Sequence, residues 1–293
     1  MRGDAVAAWQ SPSMSTYRLR EALPVLLRPD GAVQIGWDPR RAMLVRPPAG
    51  LTASALADLL RTLQSGMTTA DLYAAAREHG TADPAELTEI VSALAGAGVL
   101  IVDSPRHGRT PSVRIHGRGP LSDLLVAGLR CSGARVGHTR SPKPPAPPEA
   151  TDLVVLADYL VAEPRVVRDL HDAHVAHLPV RVRDGCGLIG PLVFPGRTSC
   201  LSCADLHRSD RDAAWPTLAA QLRGTVGSAD RPTVLATAAV ALDRIHRVLR
   251  AIRDTGDPAA AADPAATDTT WEFDVGTRTT VVRRWSRHPR CTC

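Results

Sequence analysis

The chain has 293 residues, 44% of them hydrophobic, and a formal net charge of +5. That size supports one large domain or two ordinary ones with a substantial core, and two are expected here. No run approaches the roughly 18 apolar residues of a membrane span. Met1 to Ser15 holds no apolar signal-peptide stretch, so the sequence predicts a cytoplasmic protein that does not enter membranes.

The positive balance is a weak argument for nucleic-acid binding. Ser15 to Pro105 carries eight Arg against ten Asp plus Glu, so the excess falls between Arg106 and Cys293. Lys143 is the sole lysine. This pattern fits a compositional bias toward Arg and Ala, whereas a nucleic-acid surface gathers Lys and Arg on one face beside a docking motif. Six cysteines are too few for a secreted disulfide scaffold of this length. In a reducing compartment, clustered cysteines are metal ligands or catalytic groups.

Residues 15–105 read as a small α+β module. Val33, Ile35 and Trp37 alternate with polar or small residues, Asp38-Pro39-Arg40-Arg41 supplies a turn, and Ala42 to Val45 forms the return strand of a hairpin. Leu56, Leu59, Leu60 and Leu63 then fall on one helix face, and Thr68 or Thr69 caps a second helix through Arg77. A third helix starts at Asp83-Pro84-Ala85-Glu86, with Asp83 as cap and Glu86 closing a capping box, and ends near Gly96. Val99 to Val102 adds a strand. Three helices with short strands suggest a winged helix-turn-helix.

Residues 106–293 form the second expected domain. Ser112 to Ile115 reads as a strand leading into Gly117-Arg118-Gly119-Pro120 and a helix through Leu129, with another strand near Arg135 to Gly137. Ser141 to Pro148 is proline-rich and can be neither helix nor central strand. Asp152 to Ala157 is an apolar run suited to a buried parallel strand. A helix from Pro164 to His174 and a strand from Leu178 to Val182 complete a βαβ unit. Asp230 and Pro232 open a long helix whose Leu235, Ala238, Leu242, Ile245, Leu249 and Ile252 face a core. Asp254 to Asp268 reads as a surface loop. Trp271 to Val275 and Thr279 to Trp285 then form a closing hairpin, which puts Cys291 and Cys293 just beyond a strand end.

Cys200-Leu201-Ser202-Cys203 lets two thiolates converge from a tight turn, and Cys291-Thr292-Cys293 is a second close pair. Four sulfur ligands give a closed tetrahedral zinc site with no open position, hence a structural Zn²⁺. A redox dithiol at Cys200 and Cys203 is the competing reading, and it would leave the terminal pair without a role. Cys131 and Cys186 lack such partners and are expected as small buried apolar residues. The alternating charges of Asp205, His207, Arg208, Asp210, Arg211 and Asp212 suggest a solvated helix face.

The segment Gly185 to Val193, followed closely by Cys200-Leu201-Ser202-Cys203 and a far C-terminal cysteine pair, resembles the ThiF/MoeB/E1-like superfamily. Pro191 to Cys200, Asp205-Leu206-His207-Arg208, Asp210, Trp215-Pro216 and His288-Pro289-Arg290-Cys291-Thr292-Cys293 look similar to one branch, the cyclodehydratase-associated ThiF-like proteins of azole/azoline peptide biosynthesis. The resemblance covers Ser112 to Cys293, and the first module matches in architecture alone. It implies an abridged Rossmann-like E1 domain with a Cys₄ zinc knuckle, preceded by a winged-helix element. In such proteins that element binds the leader of a precursor peptide, and a separate YcaO-type cyclodehydratase closes the rings.

An adenylating member of the superfamily needs a phosphate-cradling glycine loop and acidic groups for ribose and magnesium. Here the loop is degenerate. Gly117 and Gly119 lack a third glycine, Pro120 removes an N–H from the phosphate-binding turn, and the proline-rich segment stands where the ribose carboxylate is expected. Asp158 matches the family's magnesium-binding Asp, but Tyr159 replaces its companion Asn. ATP is therefore not an expected cofactor, and no catalytic residue is assigned. Peptide docking is expected along Ala42, Met43, Leu44 and Val45, against Leu87, Ile90, Val91 and Leu94 of the third helix. The resulting expectation is a non-catalytic scaffold that presents a precursor peptide to a YcaO-type partner, with homodimerisation left open. An active ATP-dependent adenylyltransferase and a winged-helix DNA-binding regulator stand as alternatives.

Overall fold

The computed structural model describes residues 16–80, 83–103, 109–141, 151–261 and 267–293. The chain divides into two compact units, Met1–Arg106 and His107–Cys293.

The first unit contains β1 (Thr16–Leu19), β2 (Val25–Leu27), β3 (Val33–Ile35), β4 (Met43–Val45), α1 (Ala53–Thr62), β5 (Met67–Thr68), α2 (Thr69–His79), α3 (Pro84–Gly96) and β6 (Leu100–Asp103). Two small antiparallel sheets form, β5-β1-β6 and β2-β3-β4. The anticipated hairpin is thus the second half of a meander in which β2 pairs with the far side of β3. The strand also stops at Ile35. Gly36 takes a left-handed φ of 100°, which turns the chain and leaves Trp37 80% exposed. Leu56, Leu59, Leu60 and Leu63 are buried with Leu19, Val33, Ile35 and Leu94 in one core, as their helical spacing requires.

The caps follow the sequence with one exception. Thr68 and Asp71 close a reciprocal box at α2, and the Asp83 carboxylate accepts from Ala85 N–H at α3. Glu86 does not complete a box at α3. Its Oε2 accepts instead from Ala49 N–H at 3.0 Å, because the loop after β4 passes close to the first turn of α3 and offers an N–H that needs a partner.

The second unit contains β7 (Ser112–His116), α4 (Pro120–Leu129), β8 (Arg135–Thr139), β9 (Leu153–Ala157), α5 (Pro164–Asp172), β10 (Ala176–Arg183), β11 (Cys186–Ile189), α6 (Leu201–Arg211), α7 (Trp215–Leu222), α8 (Arg231–Thr255), β12 (Thr269–Asp274) and β13 (Thr279–Arg284). Its seven strands lie in the order β13-β12-β11-β10-β9-β7-β8. The four strands from β8 to β10 run parallel, and β11, β12 and β13 continue the sheet antiparallel. Alternation along β10 sorts its two faces: Ala176, Leu178, Val180 and Val182 enter the main core with α4 and α8, while Arg181 and Arg183 point the other way. On that second face Val154 and Leu156 of β9 meet Val166, Val167 and Leu170 of α5. Asp152 anchors β9 beside β7 by accepting from Ser112 N–H at 2.7 Å and pairing with Arg109. Among the described residues β8 is an edge strand. The proline-rich segment that follows it falls outside them from residue 142 onward, as do residues 262–266 of the expected surface loop. The part of that loop that is described includes the end of α8 and a short 3₁₀ turn, Pro258–Ala261.

The α4–α8 contact forms the helical side of the main core, since Leu121, Leu125 and Leu129 are fully buried in one cluster with α8's Ala241, Ile245 and Leu249. Leu125→Ala removes three heavy atoms from this packing and is expected to cost about 2–5 kcal/mol. Urea unfolding followed by circular dichroism measures it, and a change below about 0.5 kcal/mol would show that the contact contributes little.

Candidate functional site

Four cysteines from two distant segments meet at the end of α6. Cys200 is the residue preceding the first turn of α6 and Cys203 lies within that turn. The β12–β13 hairpin returns the chain so that Cys291 and Cys293 arrive from the C-terminal side. The Sγ atoms are separated by 3.8 Å (Cys200–Cys203), 3.6 Å (Cys200–Cys291) and 3.4 Å (Cys203–Cys293), and all four lie within 4.8 Å of one another. A tetrahedron of sulfurs about 2.3 Å from zinc has edges of about 3.8 Å. The donor set therefore fits a metal such as zinc, with thiolates rather than water completing the shell.

Electrostatics point the same way. Burial pushes the Cys200 thiol up, and burial together with the Cys203 and Cys291 sulfurs raises Cys293 to about 11. At Cys203 burial is outweighed by the N–H of His288 and the backbone of Cys200, and the thiol is lowered. His288 N–H donates to Cys203 Sγ at 3.4 Å. A bound cation supplies the charge that ionises the remaining sulfurs, so metal uptake releases protons.

The terminal segment is held in place by α6 itself. Asp210 accepts from His288 Nε2 at 2.7 Å and pairs with Arg290. His288 Nδ1 accepts from Arg290 N–H, and His207 Nε2 lies 3.0 Å from Ser286 O. Arg208 is sandwiched between the rings of Trp215 and Trp285, at 5.2 and 4.8 Å, and bonds Asp205 at 2.7 Å. His207, Arg208 and Asp210 thus buttress the chain end, which corrects the expectation of a solvated face for them, while Arg211 and Asp212 are exposed as that expectation has it. The partners of the first three lie about 80 residues away, where local charge alternation gives no signal. His207, Asp210 and His288 form a second group of metal-capable side chains, but both ring nitrogens of His288 are already engaged, and the arrangement acts as a strut.

Two outcomes follow for this centre. Protein purified without chelator is expected to hold about one zinc per chain by elemental analysis, and a Cys200→Ser/Cys293→Ser variant to lose it and melt at lower temperature. Full occupancy with unchanged melting would exclude the assignment. Asp210→Ala, which keeps every ligand, is expected to weaken zinc retention by about 10–100-fold in a competition assay with a chromogenic chelator.

At the carboxyl ends of β7 and β9 the glycine loop encloses an acidic side chain. Asp158 is 1% exposed and takes a left-handed φ of 69°, held by its N–H to Val180 O and by Gly227 N–H to its own carbonyl. Its carboxylate accepts from Leu121 N–H at 3.0 Å and Ser122 N–H at 3.2 Å, the free donors of α4's first turn. A Cβ at Gly117 or Gly119 would lie 2.7 Å from the Asp158 oxygens, so both glycines admit this carboxylate. Burial raises the pKa of Asp158, with Ser122 and the two N–H donors acting against it. Tyr159 packs its ring on His116, with centroids 5.8 Å apart.

No family model and no curated protein matches this sequence. Solved structures do match. The structure of the heterocyclase TruD is 17% identical and covers 95% of this chain at a TM-score of 0.64, the chain spanning 42% of that protein. A structure of E. coli MccB with MccA-N7isoASN is 13% identical and covers 94% of this chain and 99% of its own, at 0.57. A further one of E. coli MccB with ATP is 10% identical and covers 95% and 99%, at 0.55. The fold is the mixed α/β one shared with these TruD and MccB structures.

Within the second unit, Cys131 is exposed in the turn after α4, and Cys186 is partly exposed at the start of β11. Neither is the buried apolar residue expected of it, because Cys131 falls in a turn and Cys186 is the first residue of its strand, next to the β10–β11 turn. Cys186 is raised in pKa by burial and by Asp274 and Glu272, opposite to what a nucleophile needs.

The residues expected to dock a peptide separate into two groups. Leu87, Val91 and Leu94 are buried in the first unit's own core, as is Val45. Leu44 is 53% exposed, and Ala42, Met43 and Ile90 are partly exposed. Leu26, aligned with Leu44 across Gln34 of β3, is 40% exposed. Among the described residues the outer edge of β4 has no strand partner. The alternation predicts Trp37 as a strand residue; its exposure in the turn before β4 depends on the left-handed Gly36, which alternation does not reveal.

Proposed function

We propose that this protein is a non-catalytic, zinc-stabilised E1-like scaffold in modified-peptide biosynthesis, which binds the leader of a precursor peptide on its first unit and presents it to a YcaO-type cyclodehydratase. The observation that carries this reading is Asp158. A helix N-terminus beneath a glycine loop suits a phosphate because its free N–H groups and dipole favour negative charge. Here the protein's own carboxylate already accepts those N–H groups. A nucleotide phosphate would have to displace a buried, hydrogen-bonded acid and then lie beside it, and Pro120 removes a further donor. The similar folds lend support, since MccB is a microcin C7 biosynthetic enzyme solved with N-formylated MccA and TruD is a heterocyclase.

The winged-helix reading belongs to this proposal as well. The free edge of β4 offers unpaired N–H and C=O groups to an added strand, with Leu44 and Ile90 supplying apolar contact. The Ala49–Glu86 hydrogen bond ties the loop after β4 to α3, which keeps strand and helix in register for a peptide lying along both. Leu87, Val91 and Leu94 act from below, by holding α3 on its core.

Calorimetry with Mg-ATP and a pyrophosphate-exchange assay are expected to show neither binding in the micromolar range nor exchange. Micromolar binding with exchange would replace the scaffold by an adenylyltransferase. The cognate leader, followed by fluorescence anisotropy, is expected to bind the full chain and to lose about tenfold or more in affinity to Leu44→Pro, through loss of a main-chain pairing position. A folded Leu44→Pro protein that binds the leader as tightly as wild type would rule out strand addition at β4.

A further inference from the structure

A cleft of about 490 Å³ opens on the α5 face of the sheet, at the carboxyl end of β10, and α6 and α7 wall its other side. It gathers Arg168, Arg181, Arg183, Arg208 and Arg223 against only Asp184 and Asp205. Two of these arginines already have acidic partners. Arg183 pairs with Asp184 and Glu272, and Arg208 pairs with Asp205 between its two tryptophans. Asp205 is further bound by Trp215 Nε1 at 3.2 Å. Arg168, Arg181 and Arg223 make no side-chain hydrogen bond or ion pair with any described residue.

Arg181 differs from the other two because it is not on the surface. It projects from β10, the strand next to β9 near the middle of the sheet, and is half-buried. Burial, with Arg208 adding to it, lowers its pKa to about 10. Asp205 attracts this guanidinium through space, but no hydrogen-bonded acceptor among the described residues meets its fork, and a carboxylate entering the cleft would supply one.

We propose that this cleft is a binding site for a carboxylate carried on an apolar body. Arg181 is its floor ligand, and the exposed Arg168 and Arg223 complete the charge. Arg presents a planar fork that meets a carboxylate with two parallel hydrogen bonds. The walls take the apolar part: Val167 of α5, Leu201 of α6, and Trp215 and Leu222 of α7. Phosphate sites typically use backbone N–H groups of glycine-rich turns, and no glycine is among the described residues lining this cleft. The site is separate from the β4 edge and from the cysteine cluster, so it stands or falls independently of the leader-binding reading.

The carboxylate can belong to a free organic acid or to an acidic residue of a peptide. Titration of the full-length zinc-loaded protein by calorimetry, with Trp fluorescence in parallel, uses four probes: 4-methylpentanoate, N-acetyl-Leu-Asp, the uncharged 4-methylpentanamide and inorganic phosphate. Both carboxylates are expected to bind, the amide to bind at least about tenfold more weakly, and Arg181→Met to weaken the acids by about tenfold or more. N-acetyl-Leu-Asp binding much more tightly than 4-methylpentanoate assigns the site to a peptide, and equal affinities assign it to a free acid. Should Arg181→Met fail to fold by circular dichroism, Arg168→Gln takes its place, with an expected loss of about threefold for a solvent-exposed charge. The proposal is overturned if no carboxylate binds at about 10 mM, if acid and amide bind alike, if phosphate binds more tightly than either acid, or if the folded variants bind as wild type does.

Discussion

The convergence of four thiolates closes the second unit. Cys203 and Cys293 are 90 residues apart in sequence, and tying such a loop removes about 4–5 kcal/mol of chain entropy from the unfolded state in the simplest model of a cross-link. Between the two cysteine pairs lie α7, α8 and the β12–β13 hairpin, so the cluster fixes where the chain returns to the sheet. Trp285 reaches Arg208 because β13 ends there, and Arg208 in turn orients Asp205 and Trp215 at the cleft. One cysteine cluster, with its strut of Asp210, His288 and Arg290, therefore positions a wall that lies beyond the four sulfurs.

The same unit wraps a glycine loop and a helix N-terminus around one of its own acids. The glycines are needed there, since the close approach of Asp158 demands them as much as a pyrophosphate would. The helix terminus is positive and is satisfied by a side chain of the chain itself. That contact supports the local packing of β7, α4 and β9, because the N–H groups of Leu121 and Ser122 find an anionic acceptor. A loop without such an acceptor would leave buried donors unpaired.

The parallel strands, the three helices of the first unit and the long α8 were legible in the sequence because each is long or strongly periodic, or carries a capping signal in its first residues. The cysteine cluster was legible because its chemistry is confined to four residues in two tight spacings. What escaped was non-local. β1 and β2 are four and three residues long, too short for a period to register, and they exist because they pair with β6 and β3. Arg208 read as one charge among alternating ones, and only the fold brings Trp285 over it. Glu86 had the right position for a capping box and was taken by Ala49. Asp158 was visible as an acid at a strand end, while its role in capping α4 depends on a left-handed backbone that the sequence does not announce.

Asp158 and Arg181 both lie toward the carboxyl ends of the parallel strands, the side on which open α/β sheets place ligands. On one flank Asp158 fills the helix terminus, and on the other Arg181 has no hydrogen-bonded acceptor among the described residues, with Asp205 acting on it only through space. The two differ in sign and in completeness. A carboxylate that meets two N–H groups is a finished interaction and resists exchange, whereas an arginine lacking an acceptor is an unfinished one and gains from an incoming anion. Under the proposed assignment, an anion meets this sheet at β10 and α5, where Arg181 faces the cleft, rather than at the glycine loop, where Asp158 already accepts the helix N–H groups.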